Sequence, residues 1–400
     1  MRRARLPLLW FAVIAAHLAV IFEASLNPLT SPFNDVNLYG YWADQMQPLS
    51  SILGVNQPWV YPFGALGPIL LAKILGGTAG IMAGWLTLIC ALNLIGVSTI
   101  VDWGRGDKAS FRSASFFVAF TILLGPVAIG RIDAAATFLA VLGLVQLQHN
   151  RVKLAMTFFT LGAWIKIWPV AAILALYLSA KSKLSSIITT IATTVVLLCF
   201  GLFLGGNSNL FSFVTTQGSR GLQVESTAAT FWVWAAKMHI PGSGIYFDTQ
   251  LVTNQVTGQF SSEIAALLGV VMIGALGITV WLGYRAYVAG ADREQLFVLV
   301  LLTATLDLIV FNKVGSPQFE GWLAVPLMAG LLFGLPNWRT PLALGSAIAL
   351  LTNLLYPIFY TDMIMLGSTG VWILTIRNLG LVSLLIWSNI RLTRMGDKRH

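Results

Sequence analysis

Asp35, Tyr39 and Trp42 stand at i, i+4 and i+7 within the stretch SPFNDVNLYGYWADQMQPL. That spacing places all three on one face of a short helix beginning near Asn34 and Asp35. A carboxylate beside aromatic rings, close to a bilayer, can act as general base toward a sugar hydroxyl. Asp44 lies nine residues after Asp35 and falls about 180° away at 100° per residue. The two acids therefore cannot both face one substrate on a regular helix. Asp35 is the first candidate base and Asp44 the second. The plainer role for Asn34 or Asp35 is to cap the helix, as these residue types often do.

The cations divide into two groups. Seventeen of the 24 Lys and Arg residues fall in short turns and tails between apolar stretches, as the positive-inside bias predicts for cytoplasmic segments. The other seven are Lys73, Arg131, Lys166, Arg220, Lys237, Lys313 and Arg377, and all fall at the outer side or in the outer half of the membrane. Cations there need a partner, and a lipid phosphate fits. Lys166, in AWIKIWPV, would cost about 3 kcal/mol at a helix centre, so it belongs at the boundary or in a pair. Gly130-Arg131-Ile132-Asp133 sits at a turn, where a local ion pair is the plainest role. Outer-half acids Glu23, Glu263 and Asp307 could neutralise cations such as Arg377. Two further segments, Arg220–Ser226 (RGLQVES) and Asn312–Glu320 (NKVGSPQFE), are too polar to face lipid and must be buried in protein or line a wet cavity.

These groups need a membrane scaffold. The chain has 400 residues, 57% hydrophobic and 10% charged, with mean hydropathy +0.79. Soluble domains carry about a quarter charged residues, so this is an integral membrane protein of all-α polytopic class. Twelve apolar stretches could span: 7–26, 79–101, 113–129, 133–148, 152–166, 167–181, 184–205, 263–284, 295–311, 318–335, 341–358 and 370–390. The segment 62–77 carries two prolines and Lys73 in 16 residues, and reads as a helix lying at the outer interface. Both termini are then cytoplasmic, and two long loops, about 27–78 and 206–262, lie outside and fold over the membrane surface. No repeat divides the chain, which reads as a single domain over residues 1–400.

Several motifs are missing. No Asp-x-Asp, Walker A or helix-opening GxGxxG occurs, and His17, His149, His239 and His400 are scattered. A soluble nucleotide site, a bound metal and nucleic-acid binding are not expected. Cys90 and Cys199 lie in apolar stretches as small packed side chains.

Several segments resemble the GT-C glycosyltransferases, and more narrowly glycosyltransferase family 87, the polyprenyl-phosphate-mannose-dependent mannosyltransferases of actinobacterial envelopes. The resemblance is carried by Asp35-Val36-Asn37-Leu38-Tyr39, Tyr61-Pro62, Arg131, Lys166-Ile167-Trp168-Pro169, Arg220–Ser226 and Lys313–Trp322 (KVGSPQFEGW). Phe63 departs from a pattern that often has a second proline, and Arg131 stands where relatives often have Gln. The resemblance implies a GT-C-like bundle of about 12 helices with outer juxtamembrane helices in the first loop. It implies inverting transfer of a sugar, mannose first, from a polyprenyl-phosphate donor to a glycolipid or glycan hydroxyl at the outer face, with no cofactor required. Asp35 matches the catalytic acid of the first loop. Lys166, Lys313, Arg220 and Arg131 would hold the donor phosphate. Tyr39, Trp42, Tyr61, Gln223, Glu225 and Gln318 would line the substrates. A secondary transporter or lipid flippase is the alternative.

Overall fold

The computed structural model describes residues 5–46, 51–216, 221–249 and 251–397. Its helices are α1 (Arg5–Ser25), α2 (Asn34–Gln45), α3 (Leu66–Gly76), α4 (Gly80–Ile100), α5 (Lys108–Leu124) and α6 (Asp133–Gln148). There follow α7 (Val152–Ile165), α8 (Val170–Ser179), α9 (Lys183–Phe203), α10 (Ser212–Thr215), α11 (Thr230–Lys237) and α12 (Ser261–Val288). The last are α13 (Arg293–Val310), α14 (Ala324–Leu332), α15 (Arg339–Asn353), α16 (Tyr360–Ile364) and α17 (Ser368–Gly396). Each of the twelve apolar stretches falls on a helix. Among the described residues, seven helical stretches are long and apolar enough to cross a membrane, and α6, α7 and α8 are shorter apolar helices. The chain is a multi-pass membrane protein.

Helix α13 forms the centre of the bundle. Nearly every side chain from Leu296 to Val310 is buried, and it packs against α8, α12, α14 and α17. A helix apolar all round belongs in such a position. By contrast α9 and α12 expose Val196, Phe200, Val270 and Ile273, the apolar surface that lipid would cover. Helix α7 ends at Ile165 because Lys166 is extended and Pro169 disfavours helix before it. The turn at Lys166 therefore comes after about 21 Å of helix, against about 31 Å for neighbouring α9, at 1.5 Å per residue.

The segment 62–77 is a short 3-10 turn followed by α3, which folds back on α4 through Gly77 and Gly80. Both glycines hold positive φ, +45° and +85°. A Cβ at Gly84 would collide with the Ala72 carbonyl and with Gly76, so this hairpin depends on close backbone approach. The second long loop carries structure that its sequence did not announce. Beyond α11 it holds an antiparallel hairpin, β1 (Gly244–Asp248) with β2 (Thr253–Thr257), in register from Gly244↔Thr257 to Asp248↔Thr253. The segment 222–224 adds to it, with Val224 N–H donating to the Asn254 carbonyl and Val256 N–H to the Leu222 carbonyl, 3.0 Å each. Leu222, Val224, Val233 and Val256 close a small core beneath it with Leu355 and Val371.

Candidate functional site

Helix α2 is regular, and its two acids part as the 100° periodicity requires. Phe33 holds the N-cap position without a side-chain cap bond, so neither Asn34 nor Asp35 serves as the cap. Asp35 turns inward, half-exposed, and its Oδ1 lies 3.0 Å from Arg131 Nη1. Asp44 turns away, exposed, and pairs with Lys73 outside the cluster. Tyr39 is fully buried, and its hydroxyl accepts the Ile132 N–H at 2.8 Å, which pins α2 to the 130–132 turn. Tyr39 therefore positions Asp35 and does not line an open surface. Half-buried Trp42 packs against Tyr39, Trp59 and Tyr61, with ring centroids 5.3 to 6.0 Å apart.

Arg131 and Asp133 do not pair locally. The 130–133 turn sends Arg131 to Asp35 and to Tyr356, whose hydroxyl accepts from Nη2 at 3.4 Å. Asp133, at the start of α6, points to Lys166 Nζ at 3.6 Å and accepts the Trp322 indole N–H at 2.7 Å. Lys166 thus has a carboxylate partner at the break between α7 and α8, where its ammonium also lies 4.5 Å from the Tyr61 ring centroid. The site at this level is two crossed ion pairs, Asp35–Arg131 and Lys166–Asp133, walled by Tyr61, Tyr356, Phe319 and Trp322.

A second layer adjoins it. Arg377 of α17 is buried, with Nη1 3.4 Å from Glu320 Oε1 and Nε donating to Asn378 Oδ1 at 3.0 Å. Its Nη2 also donates to the Glu225 carbonyl. Gln223 donates through Nε2 to Glu225 Oε2 at 3.1 Å. Burial pushes the Glu225 carboxyl up to about 7, against the opposing pull of Arg377. The 313–317 segment presses on this layer: a Cβ at Gly315 would overlap the Ser226 backbone, and the Gln223 N–H donates to the Lys313 carbonyl at 3.0 Å. Half-buried Lys313 is thus tied by its backbone to Gln223, and buried Gln318 accepts from Ser316 Oγ at 2.7 Å. Arg220 lies outside the described residues.

The supposed neutralising acids are elsewhere. Asp307 accepts from Thr279 at 2.6 Å, Ser262 donates to Glu263, and Glu23 bonds Asn353, so none of the three pairs with a cation among the described residues. Arg377 takes Glu320 because that acid follows the 313–317 loop directly onto it, a neighbour no local spacing reveals. Asp133, Tyr356 and Trp322 are site members that the sequence alone does not single out. Trp322 closes the KVGSPQFEGW segment, and Tyr356-Pro357 repeats the Tyr-Pro pair of residues 61–62; these were the available signals.

Two observations define what the cluster can do. Among the described residues, six of the nine buried side-chain N and O atoms without a hydrogen bond belong to it; Arg131 Nη1, Asp133 Oδ2 and Arg377 Nη1 sit in the ion pairs, and Arg131 Nε, Glu225 Oε1 and Glu320 Oε2 do not. Such atoms are rare in folded proteins and each asks for a reason. Buried cations beside a partly accessible carboxylate suit a reaction that moves a proton to Asp35 and leaves an anion beside Arg131 and Lys166. Among the described residues no group of three or more His, Cys, Asp or Glu could hold a metal ion.

The model of "Glycosyltransferase family 87" matches residues 59–312, more than half of the chain. The match takes in Tyr61, Arg131, Lys166 and Glu225, and begins after Asp35. Neither a curated protein nor a solved structure matches the chain.

Proposed function

Because the chain belongs to glycosyltransferase family 87, we propose that it transfers a mannosyl residue from a polyprenyl-phosphate donor to a hydroxyl of an envelope glycolipid or glycan. The reaction takes place at the outer membrane face and inverts the anomeric carbon. Asp35 accepts the acceptor's hydroxyl proton while that oxygen attacks C1 from the face opposite the phosphate. The C1–O bond to phosphate breaks, and its electron pair leaves with the phosphate. Arg131 and Lys166 hold that phosphate and stabilise its added charge, since fixed cations in a dry site need no reorganisation as charge develops. Lys313 and, outside the described residues, Arg220 are the further candidate cations for the phosphate. Tyr61 and Trp42 supply ring surface for the sugar, and Gln223, Glu225 and Gln318 form the buried polar layer behind it that a substrate hydroxyl would have to open.

The observation that supports this most is the placement of Asp35 against Arg131, one turn of chain from Asp133–Lys166. The base and the phosphate-holding cations then border one polar cluster, where substrate would have to part Asp35 from Arg131 to come between them. The direct test offers purified protein a panel of polyprenyl-phosphate sugars with envelope acceptors. Transfer of mannose with release of polyprenyl phosphate is expected. Turnover of a different sugar would correct the donor, and no transfer from any lipid-linked sugar would remove the reading.

Sidedness has its own test. In a background with Cys90→Ala and Cys199→Ala, Ser51→Cys should react with a membrane-impermeant thiol reagent in intact cells, and Lys108→Cys should not. The expectation follows from the basic turns, which retain their cations on the cytoplasmic side. Labelling of Lys108→Cys alone would place the site on the other face.

A further inference from the structure

A second charged region lies at the opposite end of the bundle. Helices α1, α5 and α15 begin there, at Arg5, Lys108 and Arg339, and lead toward the candidate site at their far ends, near α2, the 130–132 turn and Tyr356. At 1.5 Å per residue these helices run about 22 to 32 Å, the thickness of a bilayer's apolar core. Between their first turns is a cavity of about 1070 Å³. Arg5, Lys108, Arg112 and Arg339 line it, and no acidic residue does. Among the described residues none of the four is in an ion pair.

Arg131, Lys166 and Arg377 of the candidate site each have a carboxylate, and these four do not. The positive-inside bias explains cations on this side of the bundle, but not their gathering around one concavity. The start of α15 adds to the field: Trp338 precedes it without a side-chain cap bond, and the first amides of a helix carry partial positive charge. The floor is apolar, formed by Leu9, Phe111, Leu335 and Leu342. Leu8, at the rim, and Phe11, one turn along α1, are 67% and 71% exposed, so the cavity opens onto a face that acyl chains would cover. Cations above an apolar floor match a phosphate joined to hydrocarbon; a soluble phosphate would leave the floor and rim unused.

We propose that this cavity binds the phosphate headgroup of an anionic membrane lipid, in the leaflet opposite the candidate active site. Basic pockets between helices on the cytoplasmic side recognise lipid headgroups in this way. The site is separate from the transfer chemistry and stands whether or not the donor assignment does.

The test uses the full chain in phosphatidylcholine nanodiscs with and without phosphatidylglycerol, read by native mass spectrometry and melting temperature. Phosphatidylglycerol should remain bound and raise the melting temperature where phosphatidylcholine does not. Arg112→Gln with Arg339→Gln should weaken retention by roughly tenfold to thirtyfold, at about one cation's attraction per residue removed. Arg112→Lys with Arg339→Lys should keep retention near wild type. Equal retention of the two lipids by the wild-type chain would overturn the proposal, and that comparison needs no variant to fold. Unchanged phosphatidylglycerol retention in the Gln variant would also overturn it. So would a saturable melting shift with inorganic phosphate alone matching that of the lipid, since the occupant would then be a soluble phosphate.

Discussion

Asp35→Asn is expected to lower kcat for sugar transfer by about 10² to 10⁴-fold, the usual contribution of a general base. The amide keeps the carboxylate's shape and can still accept from Arg131, so donor affinity should change little, while the melting temperature should fall because the buried guanidinium loses its counter-charge. Asp44→Asn, on the outward face of α2 with Lys73, should keep near-normal turnover. The pair of variants separates a lost base from a disturbed helix, since both sit on the same twelve residues. Near-normal turnover by folded Asp35→Asn would show that the base lies elsewhere, and loss in Asp44→Asn alone would move the role to that residue.

The second large effect concerns Lys166. Its partner Asp133 has 6% side-chain exposure, and Lys166 itself 12%. Removing one member of a buried pair typically costs about 3 to 5 kcal/mol, because the other charge is left uncompensated. Lys166→Met should therefore lower the melting temperature, donor affinity and transfer together. Adding Asp133→Asn removes the stranded charge and should restore much of the stability. If Lys166 holds the donor phosphate, donor affinity stays low in that double variant. Recovery of donor affinity along with stability would make Lys166 a structural cation only. Lys313→Met is the companion measurement: its carbonyl bond to Gln223 belongs to the backbone and survives the change, so a loss of donor affinity there would report on the ammonium.

The scaffold was legible because lipid imposes a simple rule on sequence: backbone groups must be satisfied within helices, and helices must be apolar for their length. Each apolar stretch accordingly became a helix, though among the described residues only seven helical stretches are long and apolar enough to span, and α7 and α8 part at Lys166–Pro169. The facing of α2 was legible too, since helical periodicity fixes that Asp35 and Asp44 diverge. The pairing of charges was not. Arg131 and Asp133 are two residues apart, yet each finds its partner far along the chain, because successive positions in the turn point different ways. Asp307 does not pair with Arg377: it accepts from Thr279, and Arg377 takes Glu320. The β1–β2 hairpin escaped notice since its strands are five residues each, in a segment whose polar residues resemble loop. Tyr39 had the right face but a different task, holding α2 to the 130–132 turn.

The reach of these contacts bears on how the protein is made. Asp133 meets Trp322 across 189 residues, Arg377 meets Glu225 across 152, and Tyr356 donates to the Thr30 carbonyl across 326. Non-local contacts of this kind can form only after the later partner has been synthesised. A nascent chain inserted as far as α13 carries Asp35, Arg131, Asp133 and Lys166, but neither Trp322 nor Tyr356 to wall them, and Glu225 lacks Arg377. The early helices must therefore wait in the bilayer with an unfinished polar centre. The ribosome completes that centre only with the final helix, α17.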